Sequence, residues 1–246
     1  MNAQYLLLEC RRIMRSGRFL IFSMVMPSVL FVLLVGMYGG NGSTYDDGSS
    51  VAAAMMVSMG AFGAMSAALS TGARVAVERG SGWQRQLRLT PMHPAAYLYT
   101  KLIVAMFVAA PSIALVSILG ATVEGVSLTA GGWVMATAGL WLGAIPFAAL
   151  GLLIGLVIPA DSLPSVMGLA SMVLGMLGGM YIPAQIAPDW LSAIMKATPS
   201  YWFTQLGQSA LYDNKNLLTA IAVLAAYTLV AGLLSARRFV TSAQRA

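Results

Sequence analysis

The sequence predicts an all-α membrane bundle of six transmembrane helices. An amphipathic helix precedes them, a helical inner loop joins two of them, and short re-entrant helices lie on the outer face. Three observations carry this prediction. Hydrophobic residues are 59% of the 246 and charged residues only 9%, with mean hydropathy +0.79, whereas a water-soluble domain carries roughly 25% charged residues on its surface. Six apolar runs follow one another, each able to cross a hydrocarbon core of about 30 Å at ~1.5 Å per residue. The basic residues gather in alternate connections between those runs.

Each element follows from its own residues. Residues 1–18 begin with Tyr5-Leu6-Leu7-Leu8 and continue through Arg11, Arg12 and Arg15. That amphipathic stretch is expected to lie flat on the inner leaflet, its arginines at anionic headgroups. The first apolar run, 19–38, contains Pro27 and reads as a signal anchor that is kept. The Gly- and Ser-rich stretch 39–50 makes a flexible outer loop. Run 51–73 is built from Ala, Gly and Met. The polar inner loop 74–96 follows, in which Trp83, Leu87 and Thr90 recur at helical spacing. Thr90-Pro91 ends that short helix and Pro94 opens the next one.

Runs 97–119 and 133–158 flank a short outer loop at 122–132, and the tight inner turn 159–164 leads into run 164–182. The connection 183–216 is unusual because it stays apolar. Asp189 is placed to cap a short helix ending before Pro199, and Ser200 to cap a second one through Leu211. Both are too short to span, so they read as re-entrant or interfacial, with Trp190, Tyr201, Trp202 and Tyr212 at headgroup depth. The last run is 217–234, and residues 1–246 read as one transmembrane domain.

Orientation comes from charge. Arg11, Arg12, Arg15 and Arg18 precede the first run. Arg74, Arg79, Arg85, Arg88 and Lys101 surround the loop after the second. Arg237, Arg238 and Arg245 follow the last. Together these are 12 of the 14 Lys and Arg residues. Positive charge marks the cytoplasmic face, so six spans place both termini in the cytoplasm. This distribution, rather than the net charge of +6, argues against a nucleic-acid surface.

Enzyme chemistry finds no footing. The single His93 and single Cys10 supply no metal set, and no Gly-x-Ser-x-Gly nucleophile turn is present. A Gly-x-x-x-x-Gly-Lys-Ser/Thr phosphate loop is also missing from the sequence. No catalytic and no metal residues are therefore assigned. The cores of the runs lack ionisable residues; Lys101, Glu124 and Asp161 fall at or near their edges, where charge is cheap. The energy for any transport is thus expected from outside the chain. An ATPase-independent channel and a membrane scaffold for a sensor kinase are the alternatives. Repeated pairs such as Gly151-x-x-x-Gly155 predict close helix contact.

The inner loop carries a resemblance. Glu78-Arg79-x-x-Gly82-Trp83-x-x-x-Leu87-x-x-Thr90-Pro91 is similar to the inner loop of the ABC-2 type permeases, the bacterial drug- and polysaccharide-export family, with Trp83 where Thr is usual. Leu177-Gly178-Gly179-Met180-Tyr181-Ile182-Pro183, then Pro188-x-Trp190-Leu191 and Pro199-x-x-Trp202, resembles that family's outer segment, with Tyr181 where Phe is usual.

The resemblance implies a permease subunit of an ATP-driven exporter in a bacterial plasma membrane. It would pair with a second permease subunit, identical or related, and with a separate ATPase that binds ATP and Mg; this chain itself would hold no cofactor. Residues 74–96 would form the coupling loop, with Glu78, Arg79, Gly82, Trp83, Arg85, Leu87 and Arg88 acting on the ATPase, and Glu78 pairing with an arginine of the amphipathic helix. Runs two and five would line the pathway. Their methionines, Met55, Met56, Met59, Met172, Met176 and Met180, are polarizable and adaptable and suit a lipophilic or amphipathic substrate.

Overall fold

A computed structural model describes residues 3–15, 17–38, 43–44, 50–82, 94–181, 187–211 and 216–244. The named elements among them are all helical, and an isolated bridge pairs Thr44 with Ser50. Helices α1 (Ala3–Met14) and α2 (Gly17–Tyr38) lead to α3 (Val51–Ala73), which turns at Arg74 into the short α4 (Val75–Gly80). Helix α5 is Pro94–Thr122. The fourth apolar run divides into α6 (Ala130–Val134), a π-helical turn (Met135–Gly139), α7 (Leu140–Gly143) and α8 (Ile145–Val157). A 3₁₀ turn at Ala160–Ser162 precedes α9 (Leu163–Leu177); α10 (Asp189–Lys196), α11 (Pro199–Gln208) and α12 (Leu217–Gln244) complete the order.

Five helical stretches among the described residues are long and apolar enough to cross a membrane: Val51–Gly80, Ala96–Thr122, Ala130–Val157, Ala160–Leu177 and Leu217–Phe239. They match the second to sixth runs. The first run is helical as α2, but its described apolar stretch, Ser23–Tyr38, falls short of that length. This is a multi-pass membrane protein with at least these five candidate spans.

Helix α3 is the axis of the bundle, with 94% of its most apolar window buried. Its Ala, Gly and Ser residues have little side chain to keep neighbours away, so backbones meet. A Cβ added at Gly151 of α8 would lie 2.1 Å from the Leu69 carbonyl oxygen, and one at Gly155 would lie 2.7 Å from that of Ala73. The Gly151-x-x-x-Gly155 pair is therefore a contact surface for α3. On another side, Pro27 of α2 has no N–H and leaves the Ser23 carbonyl without its helical donor. The Ser112 hydroxyl of α5 donates to that oxygen at 3.1 Å, and Gly63 of α3 leaves room for it: a Cβ there would sit 2.0 Å from Ser112 Oγ. A kink-prone proline is thus satisfied by its neighbour, as hydrocarbon requires.

The connection after α9 differs in detail from expectation. Pro188 occupies the N-cap of α10 and Asp189 is the first helical residue, where its charge meets the positive end of the helix dipole. Helix α11 starts at Pro199, with Thr198 extended before it, and ends at Gln208. Proline sets the start because it fixes its own φ at the first helical position and pushes the preceding residue out of the helical region. Ser200 lies in the first turn and is buried. Phe203 fits against the bare face of Gly143 and packs on Phe147 at 5.2 Å. Trp190 is exposed; Trp202 donates its indole N–H to the Lys196 carbonyl at 2.8 Å. Tyr212 lies outside the described residues.

One end of the bundle collects α1, α4, the start of α5, the 3₁₀ turn and the end of α12. Tyr97 of α5 stacks on Phe239 of α12 with centroids 5.4 Å apart, and Gly80 of α4 approaches Ala160. Glu78, Arg79 and Gly82, the described part of the inner-loop pattern, are positioned here.

Candidate functional site

Helix α1 is amphipathic in two directions. Ile13 turns inward onto Ala67, Val104 and Val108, with Leu6 and Cys10 against the same cluster. Leu7, Leu8, Arg11 and Arg12 remain exposed. Glu9 is the exception, because it points inward with the apolar residues and is only 2% exposed.

Glu9 faces a buried cation. Lys101, one turn after Tyr97 on α5, is also 2% exposed, and its ammonium Nζ lies 2.7 Å from Glu9 Oε2. The same nitrogen donates to Glu78 Oε1 of α4. The Tyr97 hydroxyl donates to the other Glu78 oxygen at 2.7 Å, and the ammonium lies 5.5 Å from the Tyr97 ring centroid. Arg12 of α1 stands 3.9 Å from Glu78 and 4.0 Å from Glu9, an electrostatic rather than hydrogen-bonded distance. Three elements distant in sequence are thereby tied at one point. A lone ammonium here would cost several kcal/mol to desolvate; two carboxylates and a phenol compensate it.

The expectation that Lys101 sits at a cheap edge is corrected: it is enclosed, and the partners α1 and α4 bring to it make that tolerable. Glu78 does approach an arginine of the amphipathic helix, Arg12, but its closer partners are Lys101 and Tyr97.

Glu78 is followed by a second anchor. The Arg79 guanidinium donates to the carbonyls of Gly155 (3.1 Å) and Leu156 at the C-terminal end of α8. Those carbonyls lack helical donors and carry the negative end of the dipole, so a cation belongs there. The Ser81 hydroxyl donates to the Glu78 carbonyl at 3.2 Å. Gly82 then takes φ +73, the left-handed conformation that ends a helix and suits glycine. Trp83, Arg85, Leu87 and Arg88 lie outside the described residues.

A cavity of about 310 Å³ opens beside the ion cluster, lined by Glu9, Arg12, Thr71, Arg74, Glu78 and Lys101 with apolar walls. Cys10, next to Glu9, has its thiol pKa pushed up, first by burial and then by the Glu9 charge.

The methionines divide. Met55, Met56 and Met59 of α3 and Met180 belong to the buried core of the chain. Met172 and Met176 of α9 are 64% and 46% exposed. Sequence reasoning missed Glu9, Tyr97 and Lys101. The available signals were an acid between Leu8 and Cys10 on the inward side of an amphipathic helix, and a lysine beyond Pro94 within an apolar run.

These features coincide with a known family. Residues 41–237 match the family model described as ABC-2 family transporter protein. The chain is 30% identical over 230 residues, 92% of each protein, to the protein named "Putative transport permease YvfS" of Bacillus subtilis (strain 168). No solved structure matches. The chain belongs to the ABC-2 transporter family, as a membrane permease component.

Proposed function

We propose that this chain is the membrane-spanning subunit of an ATP-binding-cassette exporter. It pairs with a second permease subunit, identical or related, and docks a separate ATPase that carries ATP and Mg. ATP-driven closure of the ATPases moves the cytoplasmic end of the bundle as a rigid unit and switches the pathway, a two-state transition biased from another protein. The substrate is lipophilic or amphipathic.

The observation that carries this reading is the anchoring of the segment entering the inner loop. Glu78 and Arg79 stand immediately before Gly82 and the loop 83–93. One is bound to α1 and α5 through Lys101, the other to the end of α8. A push on the loop therefore reaches three parts of the bundle without slack. Trp83, Arg85, Leu87 and Arg88 make the contact with the ATPase.

The same geometry supports six crossings. Glu9 and Arg12 of α1 meet Glu78 at the end of the α3–α4 helix, so α2 leaves that end of the bundle and α3 returns to it. The stacking of Phe239 on Tyr97 brings the end of α12 there as well. Both termini then lie on the arginine-rich side, the cytoplasm of a bacterial plasma membrane. Helices α10 and α11 form the outer re-entrant segment within 183–216.

The test is ATP hydrolysis by the partner ATPase, measured alone and with this chain in lipid nanodiscs. Glu78→Gln and Arg79→Gln are expected to keep the complex assembled and to lower the permease-dependent part of the hydrolysis. Full coupling in both variants would contradict the reading.

A further inference from the structure

The cavity beside the ion cluster has unmet chemistry. Glu9 and Thr71 both line it, and Glu9 Oε1 and Thr71 Oγ1 are buried with no hydrogen-bond partner among the described residues. Their residues are 2% and 1% exposed. Arg12 stands 4.0 Å from Glu9 Oε1, beyond hydrogen-bond reach. Leaving two such atoms bare is unfavourable, so a donor-bearing occupant is called for. At about 310 Å³ the cavity has room for an occupant of headgroup size.

Charge defines the rest of the occupant. Arg12, Arg74 and Lys101 against Glu9 and Glu78 leave one positive charge in the lining, three minus two. Lys101 is already engaged by both carboxylates, whereas Arg12 is 55% exposed at the side chain. A guanidinium beside an open cavity is suited to a phosphate.

Position names the source. The cavity lies where α3 bends at Arg74 and α5 begins, at the polar ends of two candidate spans. Helix α1 beside it exposes Leu7 and Leu8 together with Arg11 and Arg12, the pattern of a helix lying in a membrane interface. We infer that this cavity binds the headgroup of an anionic phospholipid carrying a hydroxyl donor, phosphatidylglycerol. The phosphate sits against Arg12 and Arg74, and the glycerol hydroxyls donate to Glu9 Oε1 and Thr71 Oγ1. The site closes the charge balance and ties α1 to the α3–α5 corner. It requires no ATPase, so it stands or falls separately from the coupling reading.

The experiment is native mass spectrometry of the purified full chain in detergent, titrated with phosphatidylglycerol, phosphatidylcholine or sn-glycerol 3-phosphate, with thermal shift in parallel. Phosphatidylglycerol is expected to bind in preference to phosphatidylcholine, which has a phosphate but no net charge and no donor. Arg12→Gln with Arg74→Gln lowers that preference about thirtyfold, on the scale of two lost guanidinium–phosphate contacts. Arg11→Gln with Arg15→Gln, equal in charge but outside the lining, leaves most of it. Thr71→Val keeps the shape, does not lower the Tm of the lipid-free protein, and shrinks the shift produced by phosphatidylglycerol. Equal binding of the two lipids, an equal loss in the Arg11/Arg15 variant, or an undiminished shift in Thr71→Val would each overturn the inference. Binding of sn-glycerol 3-phosphate as tight as that of the lipid would overturn the lipid assignment in favour of a soluble phosphate.

Discussion

Lys101 is the closest cation to two buried carboxylates, Glu9 and Glu78. Lys101→Met is therefore expected to destabilise the protein by roughly 3–5 kcal/mol, because removing one partner of a buried ionic group strands the others. Adding Glu9→Gln and Glu78→Gln should recover part of that loss, since no buried carboxylate is then stranded, while Arg12 and Arg74 give up their counter-charges. Thermal unfolding in detergent reads both. A triple variant no more stable than Lys101→Met would mean that packing, not charge, governs the site.

Cys10 gives a test in pH. Burial and the Glu9 charge raise its pKa, and the thiolate is the species that alkylates. Labelling with a maleimide should be slow at neutral pH and keep rising beyond the ordinary thiol value of about 8.5. A rate that levels off at or below that pH would contradict the assignment. Legibility at this scale was uneven. Glu78, Arg79 and Gly82 stood out in the sequence as a pattern. Glu9 and Lys101 did not, because each alone reads as an ordinary charge near a helix end. Only tertiary packing, across 92 residues, makes them a pair.

At the scale of elements, the contact of α3 with α8 rests on glycine. Gly151→Ala puts a methyl 2.1 Å from the Leu69 carbonyl oxygen. It should force the helices apart at a cost of about 1–3 kcal/mol or more. Gly232→Ala on α12, with nothing within 4 Å of the new methyl, should be neutral or slightly stabilising. Thermal unfolding of the two variants side by side checks this, and equal effects would remove the close-approach explanation. Arg79→Ala should loosen the end of α8 by roughly 1 kcal/mol, seen as faster hydrogen exchange at residues 155–158.

The glycine spacing was readable in the sequence, but the helix it contacts was not, since spacing names a face and not its partner. The start of α11 shows a further limit. Pro199 and Ser200 both carry helix-start signals, and the proline's fixed φ outweighed the serine's capping oxygen.

At the scale of the whole molecule, hydropathy gave the helical membrane class because hydrocarbon leaves a chain few options. Five of the six runs reappear as long apolar helices. The broken fourth run, with its π-helical turn and the turn at Ala144, was not legible: Gly139 and Pro146, beside those breaks, look in sequence like any small residue or proline in a span. The division of the methionines was equally hidden, because α3 and α9 both read as methionine-bearing apolar helices and what surrounds each is not written in its own residues.

The central claim is that the loop entered by Glu78 and Arg79 docks an ATPase. The most direct test places a photo-crosslinker at Gln84, within that loop, in native membranes, and identifies the captured protein by mass. The account predicts a soluble partner containing a Gly-x-x-x-x-Gly-Lys-Ser/Thr phosphate loop. Capture of lipid alone, with the loop confirmed as exposed, would contradict it.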